Sequence, residues 1–519
     1  MTISFDFLIP KYFRNYKDLI KFLITTLTLT LILTTIIVTS YFHYAWSYWK
    51  KRNVPHVKPT FPFGSFTIAG FFKKGFHFSM LEHYRNFKKQ GAKYFGTYAI
   101  TSPMLTIIDP ELIKTILVKD HDYFLSHGLQ YDKKDVFTLT LFNIEENDWK
   151  VLRSKLTATF SSGKLKSMFE TLKNSTIPLK KFLNQQNHHE FEIDISELCG
   201  RFFTNVIGTC IFGFECDCFN QDDVFRRYGR QCFEERFDLK IRRVVAFTAP
   251  WLIKYLRFKV LKKEADNFFK TIFKDMFDYR EKTMIKRNDF VQILLDLKQK
   301  ALEEGEIALT YEEMLANSFL FFSAGFETSS STTTYCLHEL AHHQEVQDKI
   351  RDEIRLILKK YNGFFYECLS EFKYMDQVLY ETLRKHPSAP TIPRKCTKDY
   401  QILNGPDIKK GMKVFINPLA LHWDEDYFPD PQKFDPERFS DLNKDNIPPY
   451  TFLPFGIGPR KCIAERFGIA QIKVALVTIL SNYSLKPHSK TDYKLDYNKN
   501  NILLISAKPI YVKMERIFY

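Results

Sequence analysis

A glycine-rich loop near the C-terminus carries the side chain with the clearest chemical potential, Cys462. The loop reads Pro-Phe-Gly-Ile-Gly-Pro-Arg-Lys-Cys-Ile-Ala over residues 454–464, and an apolar helical pattern begins near Ile463. Backbone N–H groups at a helix start favour the anionic form of a nearby thiol, and Arg460 adds positive charge two residues away. Such a thiolate suits an electron-rich metal ligand. A tight turn with a buried cysteine is the simpler interpretation, so the wider pattern must decide between them.

A second group of polar residues lies in the segment Ala-Gly-Phe-Glu-Thr that ends at Thr328, inside a helix predicted over 310–343. A capping box predicts that this helix begins at Thr310, and thirty-odd residues span ~50 Å. A mid-helix glycine costs about 1 kcal/mol relative to alanine, so another reason for it is expected. The Thr328 hydroxyl can bond the Ala324 carbonyl four residues earlier and open the helix locally. The pattern predicts a groove for small polar molecules beside Glu327.

Two further pairs of side chains are spaced to share a helix face. Glu381 and Arg384 are three residues apart, whereas Trp149 and Arg153 are four apart. On its own, the first pair usually indicates a surface ion pair and the second an amphipathic surface helix. Downstream of the first pair, Arg438 occurs in the turn-forming stretch Phe-Asp-Pro-Glu-Arg-Phe.

Taken together and in this order, these motifs resemble the cytochrome P450 family. Its haem–cysteine signature, Phe-x-x-Gly-x-Arg-x-Cys-x-Gly, is matched from Phe455 to Cys462, and the chain departs from it only at Ala464, where the family has glycine. Alanine is small enough that we expect a minor adjustment. The resemblance extends from about Pro55 to the C-terminus. It is closest to the microsomal clan that contains the animal drug- and toxin-oxidising members.

The resemblance implies a role for each of these residues. Cys462 would be the axial thiolate ligand of the iron in haem b, with Phe455 and Ala324 beside the haem. Glu327 and Thr328 would form the acid–alcohol pair that delivers protons to bound O2. The side chains implied to bind the haem propionates are Trp149, Arg153, Arg394 and Arg460. Those implied to form a structural salt-bridge network behind the haem are Glu381, Arg384 and Arg438.

The resemblance also implies the chemistry and the partners. The chain would be a monooxygenase that acts on a lipophilic small molecule. No Walker loop, dinucleotide fingerprint or flavin module is present, so electrons from NADPH would arrive through NADPH–cytochrome P450 reductase, with cytochrome b5 as a further candidate partner. The 75 basic against 60 acidic residues fit a basic docking face. The simpler interpretation of any single basic residue is a solvated surface cation, but as a group the candidate residues of this face are Lys150, Lys155, Lys164, Lys166, Lys461 and Arg466.

Two alternative functions stay open. One is an isomerase or dehydratase of the same fold, which rearranges peroxides without a reductase. The intact Glu327–Thr328 pair favours the monooxygenase over this enzyme. The other is a non-catalytic haem-binding protein, which nothing in the sequence favours. Nucleic-acid binding is disfavoured, because the basic charge is dispersed and no binding motif is present.

A mainly α body with a minor β part is predicted to position these residues, in keeping with the cytochrome P450 fold. The 45% hydrophobic and 26% charged residues are globular composition. Nine cysteines without a repeated Cys-x-x-Cys pattern argue against a disulfide scaffold or a zinc ribbon. Strands are predicted within 94–109, 391–439 and 501–515. Helices are predicted at 149–183, 191–213, 222–240, 258–285, 289–303, 310–343, 344–360, 371–386 and from Ile463.

The N-terminal region predicts a membrane anchor. Residues 22–38 carry no charge, the uncharged run continues to Trp49, and about 20 such residues cross a bilayer as a helix. Aromatic residues at its end are typical of a membrane interface. The alternative is a cleaved signal peptide, which the length of the run disfavours. The predicted organisation is an N-terminal extension, lumenal or cytosolic (1–21), a transmembrane anchor (22–49), a proline-containing linker (50–64) and a haem-binding monooxygenase domain (65–519).

Orientation does not follow from charge, because four basic residues precede the span and four follow it. The resemblance implies a single-pass protein of the endoplasmic reticulum membrane whose catalytic body faces the cytosol. The apolar and basic segment 244–260 would either dip into the bilayer or pack on the core.

Overall fold

As predicted, helices dominate the described part of the chain and strands form a minor part. The strands form three small sheets. The computed structural model describes residues 16–66, 74–129, 132, 134–186, 188–214, 217–219, 223–233, 245, 259–499 and 501–517. Most of the predicted N-terminal extension and most of the segment 244–260 therefore lie outside the described residues.

In chain order, the α-helices of the described residues are α1 (Tyr16–Lys50), α2 (Phe76–Lys88), α3 (Pro110–Lys114), α4 (Glu146–Thr157), α5 (Ser162–Asn174), α6 (Thr176–Asn184), α7 (Ile195–Phe212), α8 (Val224–Gln231), α9 (Lys263–Thr283), α10 (Phe290–Glu303), α11 (Tyr311–His342), α12 (Gln344–Tyr361), α13 (Lys373–Lys385), α14 (Pro418–His422) and α15 (Glu465–Leu480).

The strands are β1 (Tyr94–Ala99), β2 (Ser102–Ile107), β3 (Glu190–Asp194), β4 (Ile392–Lys395), β5 (Tyr400–Gln401), β6 (Asp407–Ile408), β7 (Lys413–Ile416), β8 (Tyr483–Pro487) and β9 (Tyr511–Arg516). The largest sheet has the order β1-β2-β7-β4, in which only β2 and β7 run parallel. A second sheet has the order β3-β9-β8, and β5 pairs with β6.

The long helix α11 forms the centre of the body. Its capping box is present as predicted, because the Thr310 hydroxyl accepts from the Glu313 N–H at 3.1 Å and the Glu313 carboxylate accepts from the Thr310 N–H at 2.8 Å. Most of its side chains are buried, and it packs against α7, α9, α13 and α15. Because this helix is buried on most sides, a short segment of it can line an internal site that is shielded from bulk water.

Several predicted boundaries are wrong. The single helix predicted at 149–183 is three helices, α4 to α6, with a short 3₁₀ turn between the first two. The helix predicted from residue 191 begins at Ile195, because Asp194 caps it by accepting from the Ser196 and Glu197 N–H groups. The preceding residues form β3 instead. Of the stretch predicted as strands at 501–515, only β9 is a strand, and α2 and β8 were not predicted.

Helix α1 joins the predicted membrane anchor directly to the sheet. It includes a stretch, Asp18–Lys50, that is long and apolar enough to cross a membrane, with a mean hydropathy of 2.2 in its most apolar part. Its last turns are embedded in the body: Trp49 is fully buried, and its indole N–H donates to the Thr97 carbonyl at 3.1 Å. The Tyr98 hydroxyl donates to the Trp46 carbonyl at 2.8 Å.

The segment after α1 also packs on the sheet. The Val57 N–H donates to the Gly96 carbonyl at 3.0 Å, and the Gly96 N–H donates to the Pro55 carbonyl at 2.8 Å. A Cβ atom on Gly96 would overlap the Trp49 ring, so only glycine allows this close approach. The proline-containing stretch is therefore attached to the body rather than extended as a free spacer.

Candidate functional site

The cysteine loop, residues 454–464, is held in a tight conformation by two glycines. Gly456 and Gly458 have φ angles of 69° and 73°, which favour glycine. A Cβ atom on Gly458 would collide with the Leu117 carbonyl oxygen. The Cys462 N–H donates to the Phe455 carbonyl at 2.9 Å and closes the loop. The backbone thus fixes where the Cys462 side chain begins, as a rigid metal ligand requires.

Cys462 differs from the other described cysteines. It is exposed, whereas six are buried and Cys232 is intermediate. Burial around the sulfur raises the pKa of its thiol from the ordinary value, while the Ala464 backbone N–H and the Arg153 charge act in the opposite direction. The residue therefore lies in a recess. The pKa of the Cys462 thiol is thus raised, whereas the position at a helix start alone predicts a lowered pKa. A cation at the sulfur is needed to favour the thiolate.

The middle of α11 presents a second exposed position within a buried helix. Ala324 is exposed, whereas Phe322 and Phe326 on either side are fully buried in a cluster of aromatic rings. The Thr328 hydroxyl donates to the Ala324 carbonyl at 2.7 Å, the predicted bond. The predicted local opening is absent, because the helix is continuous through this segment.

Glu327 lies beside a cavity of about 370 Å³ next to α11. Burial raises the pKa of its carboxyl, and the charges of Arg226 and Arg230 act in the opposite direction. Arg226 itself pairs with Glu197 at 2.8 Å. Other side chains that line the cavity carry hydroxyl groups: Ser196, Ser330, Ser331, Thr334, Tyr335 and Ser506. The cavity can therefore hold water next to a carboxyl group that keeps its proton more readily than an exposed one.

Three of the predicted propionate ligands form an arginine cluster, which we define as Arg153, Arg394 and Arg460. The Arg460 guanidinium lies 4.1 Å from the centroid of the buried Trp149 ring and donates to the Leu141 and Ile144 carbonyls at 3.1 and 2.9 Å. Arg153 donates to the Lys461 carbonyl at 2.9 Å, and Arg394 is only 3% exposed. The structure thus gathers these predicted residues around the N-terminal side of the cysteine loop.

The arginine cluster has no directly paired carboxylate in the part of the chain that the structure describes. Among the described residues, no carboxylate oxygen lies within 4.0 Å of any of its guanidinium nitrogens, and the Arg460 Nε is buried without a hydrogen-bond partner. Burial lowers the pKa of Arg394 to about 10 and that of Arg460 to about 9. Buried cations without counter-anions are costly. The residues present therefore fit haem, whose two propionates are anionic and whose iron accepts a thiolate.

The predicted structural network is assembled as an ion pair with no exposed side-chain surface. Two nitrogens of Arg384 donate to Glu381 at 2.7 and 2.8 Å, a bidentate pair. Arg438 lies 3.5 Å from the same carboxylate, which also accepts from the Asp435 N–H at 2.9 Å. Arg384 donates further to the His422 carbonyl at 2.9 Å. These bonds fix the 433–438 stretch against α13.

Three of the six candidate residues of the proposed basic face form ion pairs at the surface. Lys150 lies 2.8 Å from Asp122, Lys166 lies 2.6 Å from Glu367, and Lys461 lies 2.6 Å from Glu465. Exposed pairs of this kind are worth little and exchange partners readily.

Two buried side chains near the site were not found from the sequence. Gln471 on α15 donates to the Gly325 carbonyl at 3.3 Å and to the Ser329 hydroxyl at 2.5 Å, which ties α15 to α11. His127 is buried beside Arg394 and Arg460, and its Nδ1 has no partner among the described residues. Neither belongs to a local motif, so only the folded chain brings them to the site.

Comparison with known proteins agrees with this geometry. The cytochrome P450 family model matches residues 59–514. Probable cytochrome P450 6a14 of Drosophila melanogaster is 38% identical over 490 residues, which cover 91% of this chain and 96% of the relative. Cytochrome P450 6a2 of the same organism is 37% identical, with 92% and 96% covered. Cytochrome P450 6a8 is 35% identical, with 93% and 97% covered. The chain therefore belongs to the cytochrome P450 family and is a P450 monooxygenase.

Proposed function

We propose that this monooxygenase is anchored in the endoplasmic reticulum membrane, receives electrons from NADPH–cytochrome P450 reductase and inserts one atom of O2 into a lipophilic small molecule. The observation that carries the proposal is that the recessed Cys462 thiol lies beside the arginine cluster, which has no carboxylate within 4.0 Å among the described residues. Haem matches both features with one molecule.

The residues around the recess divide the work of holding haem. Cys462 would bind the iron, Phe455 and Ala324 would lie beside the haem, and the propionates would be bound by Trp149, Arg153, Arg394 and Arg460. Bound haem supplies the activation of dioxygen, which protein side chains cannot perform themselves. The thiolate increases electron density on the metal. The arginines orient the group and neutralise its two carboxylates.

Proton supply is assigned to α11. Thr328 is already fixed by its bond to the Ala324 carbonyl, so its oxygen can accept a proton donor while its position stays constant. Burial raises the pKa of Glu327, so its carboxyl keeps a proton to a higher pH than an exposed carboxyl does. The adjacent hydroxyl-lined cavity offers a route by which water replaces that proton. Glu381, Arg384 and Arg438 have a structural role only.

Electron supply is assigned to the basic surface around α4, α5 and the cysteine loop. The chain has no nucleotide motif of its own, and its charge of +15 favours an acidic partner. Reductase and cytochrome b5 would compete with Asp122, Glu367 and Glu465 for the paired lysines. Because those pairs are exposed, the exchange costs little.

Membrane attachment is assigned to α1. Its exposed apolar surface suits the bilayer, and its last turns are bonded to β1 and to the turn after β1 through Trp49 and Trp46. The body would therefore keep a fixed tilt at the membrane surface, with the exposed Phe61 and Phe63 close to the lipid headgroups.

The test is reconstitution of the full-length protein with reductase, NADPH and a panel of lipophilic probe molecules. We expect oxygenated product only when NADPH and reductase are both present. Thr328→Ala should consume NADPH but form less product for each molecule consumed, whereas Thr310→Ala, at the far end of α11, should retain the wild-type ratio.

Each alternative predicts a different result. Peroxide rearrangement without NADPH or reductase would identify the isomerase. Haem binding without turnover of any probe would identify the non-catalytic protein. An unchanged product ratio in Thr328→Ala would remove the proton-supply role of that hydroxyl.

A further inference from the structure

A buried tyrosine, Tyr497, is hydrogen-bonded to a histidine outside the residues assigned to haem and to proton supply. The Tyr497 hydroxyl lies 2.7 Å from Nδ1 of His386, and the other ring nitrogen of His386, Nε2, lies 2.7 Å from a carboxylate oxygen of Glu339. All three side chains are buried. We define these three residues as the tyrosine relay. The proposed oxygenation of a substrate uses none of them.

The charge of Glu339 fixes where the protons of the tyrosine relay lie. Burial alone would raise the pKa of Glu339, but His386 and Lys385 hold it well below its usual range, so the carboxylate accepts hydrogen bonds. Nε2 of His386 therefore carries the proton of its bond to Glu339. Burial lowers the pKa of His386, which favours the neutral ring. Nδ1 is then a bare base, and the Tyr497 hydroxyl donates to it.

A tyrosine bonded to a base in this way can give up one electron. Oxidation of a phenol makes its O–H group strongly acidic, so the electron leaves readily only where a base takes the proton in the same step. A base must lie within about 2.6–3.2 Å of the oxygen to do this, and Nδ1 of His386 does. The Glu339 carboxylate then stabilises the positive charge on the imidazole ring.

Helix α11 connects the tyrosine relay with the haem site. Tyr335 follows Thr328 by seven residues, so the two side chains share a helix face and lie about 10 Å apart along its axis. The Tyr335 ring stacks on His386 with 4.7 Å between the ring centroids, and its centroid lies 6.1 Å from that of Tyr497. Stacked rings thus lead from the segment assigned to proton supply to the tyrosine relay.

We propose that Tyr497 is a redox-active residue, which gives one electron to the haem when no substrate consumes the oxidising equivalents that remain after O–O cleavage. The electron leaves the phenol and reduces the oxidised haem by one electron. The phenolic O–H bond breaks, and its proton forms an N–H bond at Nδ1 of His386. The product is a neutral tyrosyl radical beside an imidazolium ion.

This inference rests on the proposed function, because it needs haem in the recess and O2 or a peroxide as the oxidant. It adds to the oxygenation of a substrate a one-electron oxidation of the protein itself. The tyrosine relay is thereby a sink for an oxidising equivalent that would otherwise attack the haem or the residues around it.

The experiment mixes purified full-length holoenzyme with m-chloroperbenzoic acid in the absence of substrate and records the radicals by freeze-quench electron paramagnetic resonance. We expect a tyrosyl signal in wild type, which narrows when the protein contains ring-deuterated tyrosine. Tyr497→Phe keeps the ring but has no phenol to oxidise, so it should lose most of this signal. His386→Gln keeps a donor for Glu339 and an acceptor for Tyr497 but is not a base, and it should also lose most of the signal. A purely structural histidine would leave the signal of His386→Gln unchanged.

The matched control is Tyr483→Phe. Tyr483 is also buried, but its hydroxyl donates to the Asn184 side-chain carbonyl at 3.3 Å, which is not a base. Its replacement should leave the tyrosyl signal unchanged. A wild type without this signal would overturn the proposal, as would a signal that Tyr497→Phe keeps or that Tyr483→Phe loses equally. If His386→Gln does not fold, the comparison of Tyr497→Phe with Tyr483→Phe decides.

The carbon monoxide spectrum of the same samples separates this proposal from the function on which it rests. A folded wild-type protein without the Soret band of a thiolate-ligated haem would remove the proposed function. An intact band together with a tyrosyl signal that is absent or independent of Tyr497 would overturn only the role of Tyr497.

Discussion

Two charge clusters of this protein, one buried and one partly buried, are built in opposite ways. Glu339 on α11 is 1% exposed and lies 2.9 Å from Lys385 and 2.7 Å from His386. Burial alone would raise the pKa of Glu339, but these partners hold it well below its usual range. The arginine cluster instead contains three guanidiniums and no carboxylate partner among the described residues.

The difference in net charge distinguishes a cluster that stabilises the fold from a cluster that binds a ligand. A cluster that neutralises itself holds elements together, as Glu381 and Arg384 also do. A cluster of one sign stores unfavourable electrostatic energy that only a ligand of opposite charge relieves. A cluster with a large net charge therefore indicates a binding site. A cluster with a net charge close to zero indicates a structural contact.

The largest expected effect comes from breaking a neutral cluster. Glu381→Leu leaves Arg384 buried with only carbonyl partners, which should lower the free energy of unfolding by about 3–5 kcal/mol. Denaturant unfolding of the haem-free protein measures this free energy. The control, Lys166→Met, breaks an exposed pair and should lower the free energy of unfolding by less than about 1 kcal/mol. A similar small loss in Glu381→Leu would show that the buried pair is not structural.

The next prediction is a change of opposite sign in the free energy of unfolding when a residue of the arginine cluster is replaced. Arg394→Met removes one of the like charges, so it should stabilise the haem-free protein by on the order of 1 kcal/mol. The same change should accelerate haem loss at least about tenfold, because a charge-assisted bond to haem is absent. Denaturant unfolding of the haem-free form measures the change in stability, and haem transfer to apomyoglobin measures the rate of haem loss. Destabilisation of the haem-free form would contradict the claim that the cluster awaits an anion.

The partly buried carboxyl of Glu327 tests a single charge that lies outside both clusters. Its folded-state pKa is raised above the ordinary 4.5, so the folded protein binds a proton that the unfolded chain has released. Wild-type stability should therefore fall as the pH rises from about 4.5 through the raised pKa. Glu327→Gln lacks this loss, and its stability relative to wild type should increase over the same window. Parallel stability curves would show that Glu327 is not held in its protonated form.

The smallest expected effect concerns the paired surface lysines. Lys150→Ala should raise the reductase concentration needed for half-maximal turnover by roughly twofold, and added salt should reduce the difference. Lys490 follows β8 and pairs with the exposed Glu192 on β3, so Lys490→Ala is the control and should have no effect. Equal effects of the two variants would remove the docking surface from around α4.

The sequence predicted the site better than its surroundings. The cysteine loop and the capping box of α11 are local patterns, in which turn chemistry and capping act within a few residues. The cluster at Arg153, Arg394 and Arg460 was reached only through the resemblance, since no local rule brings residues so far apart together.

What was missed depends on contacts distant in sequence. Strand β8 pairs with β9, which follows more than twenty residues later, and β3 pairs with β9 from the other half of the chain. Helix α2 is rich in aromatic residues and histidine, which have modest helix propensity, and its packing against β1 and α14 stabilises it. The orphan nitrogen of His127 is visible only once three distant loops meet.

The most direct test of the central claim is the absorption spectrum of the reduced protein with carbon monoxide, recorded for wild type and Cys462→Ser. We predict that wild type gives the red-shifted Soret band of a thiolate-ligated complex, and that Cys462→Ser loses this band while its circular dichroism shows the same fold. A folded, haem-loaded wild-type protein without that band, or a Cys462→Ser variant that keeps it, would contradict the assignment of Cys462 as the metal ligand.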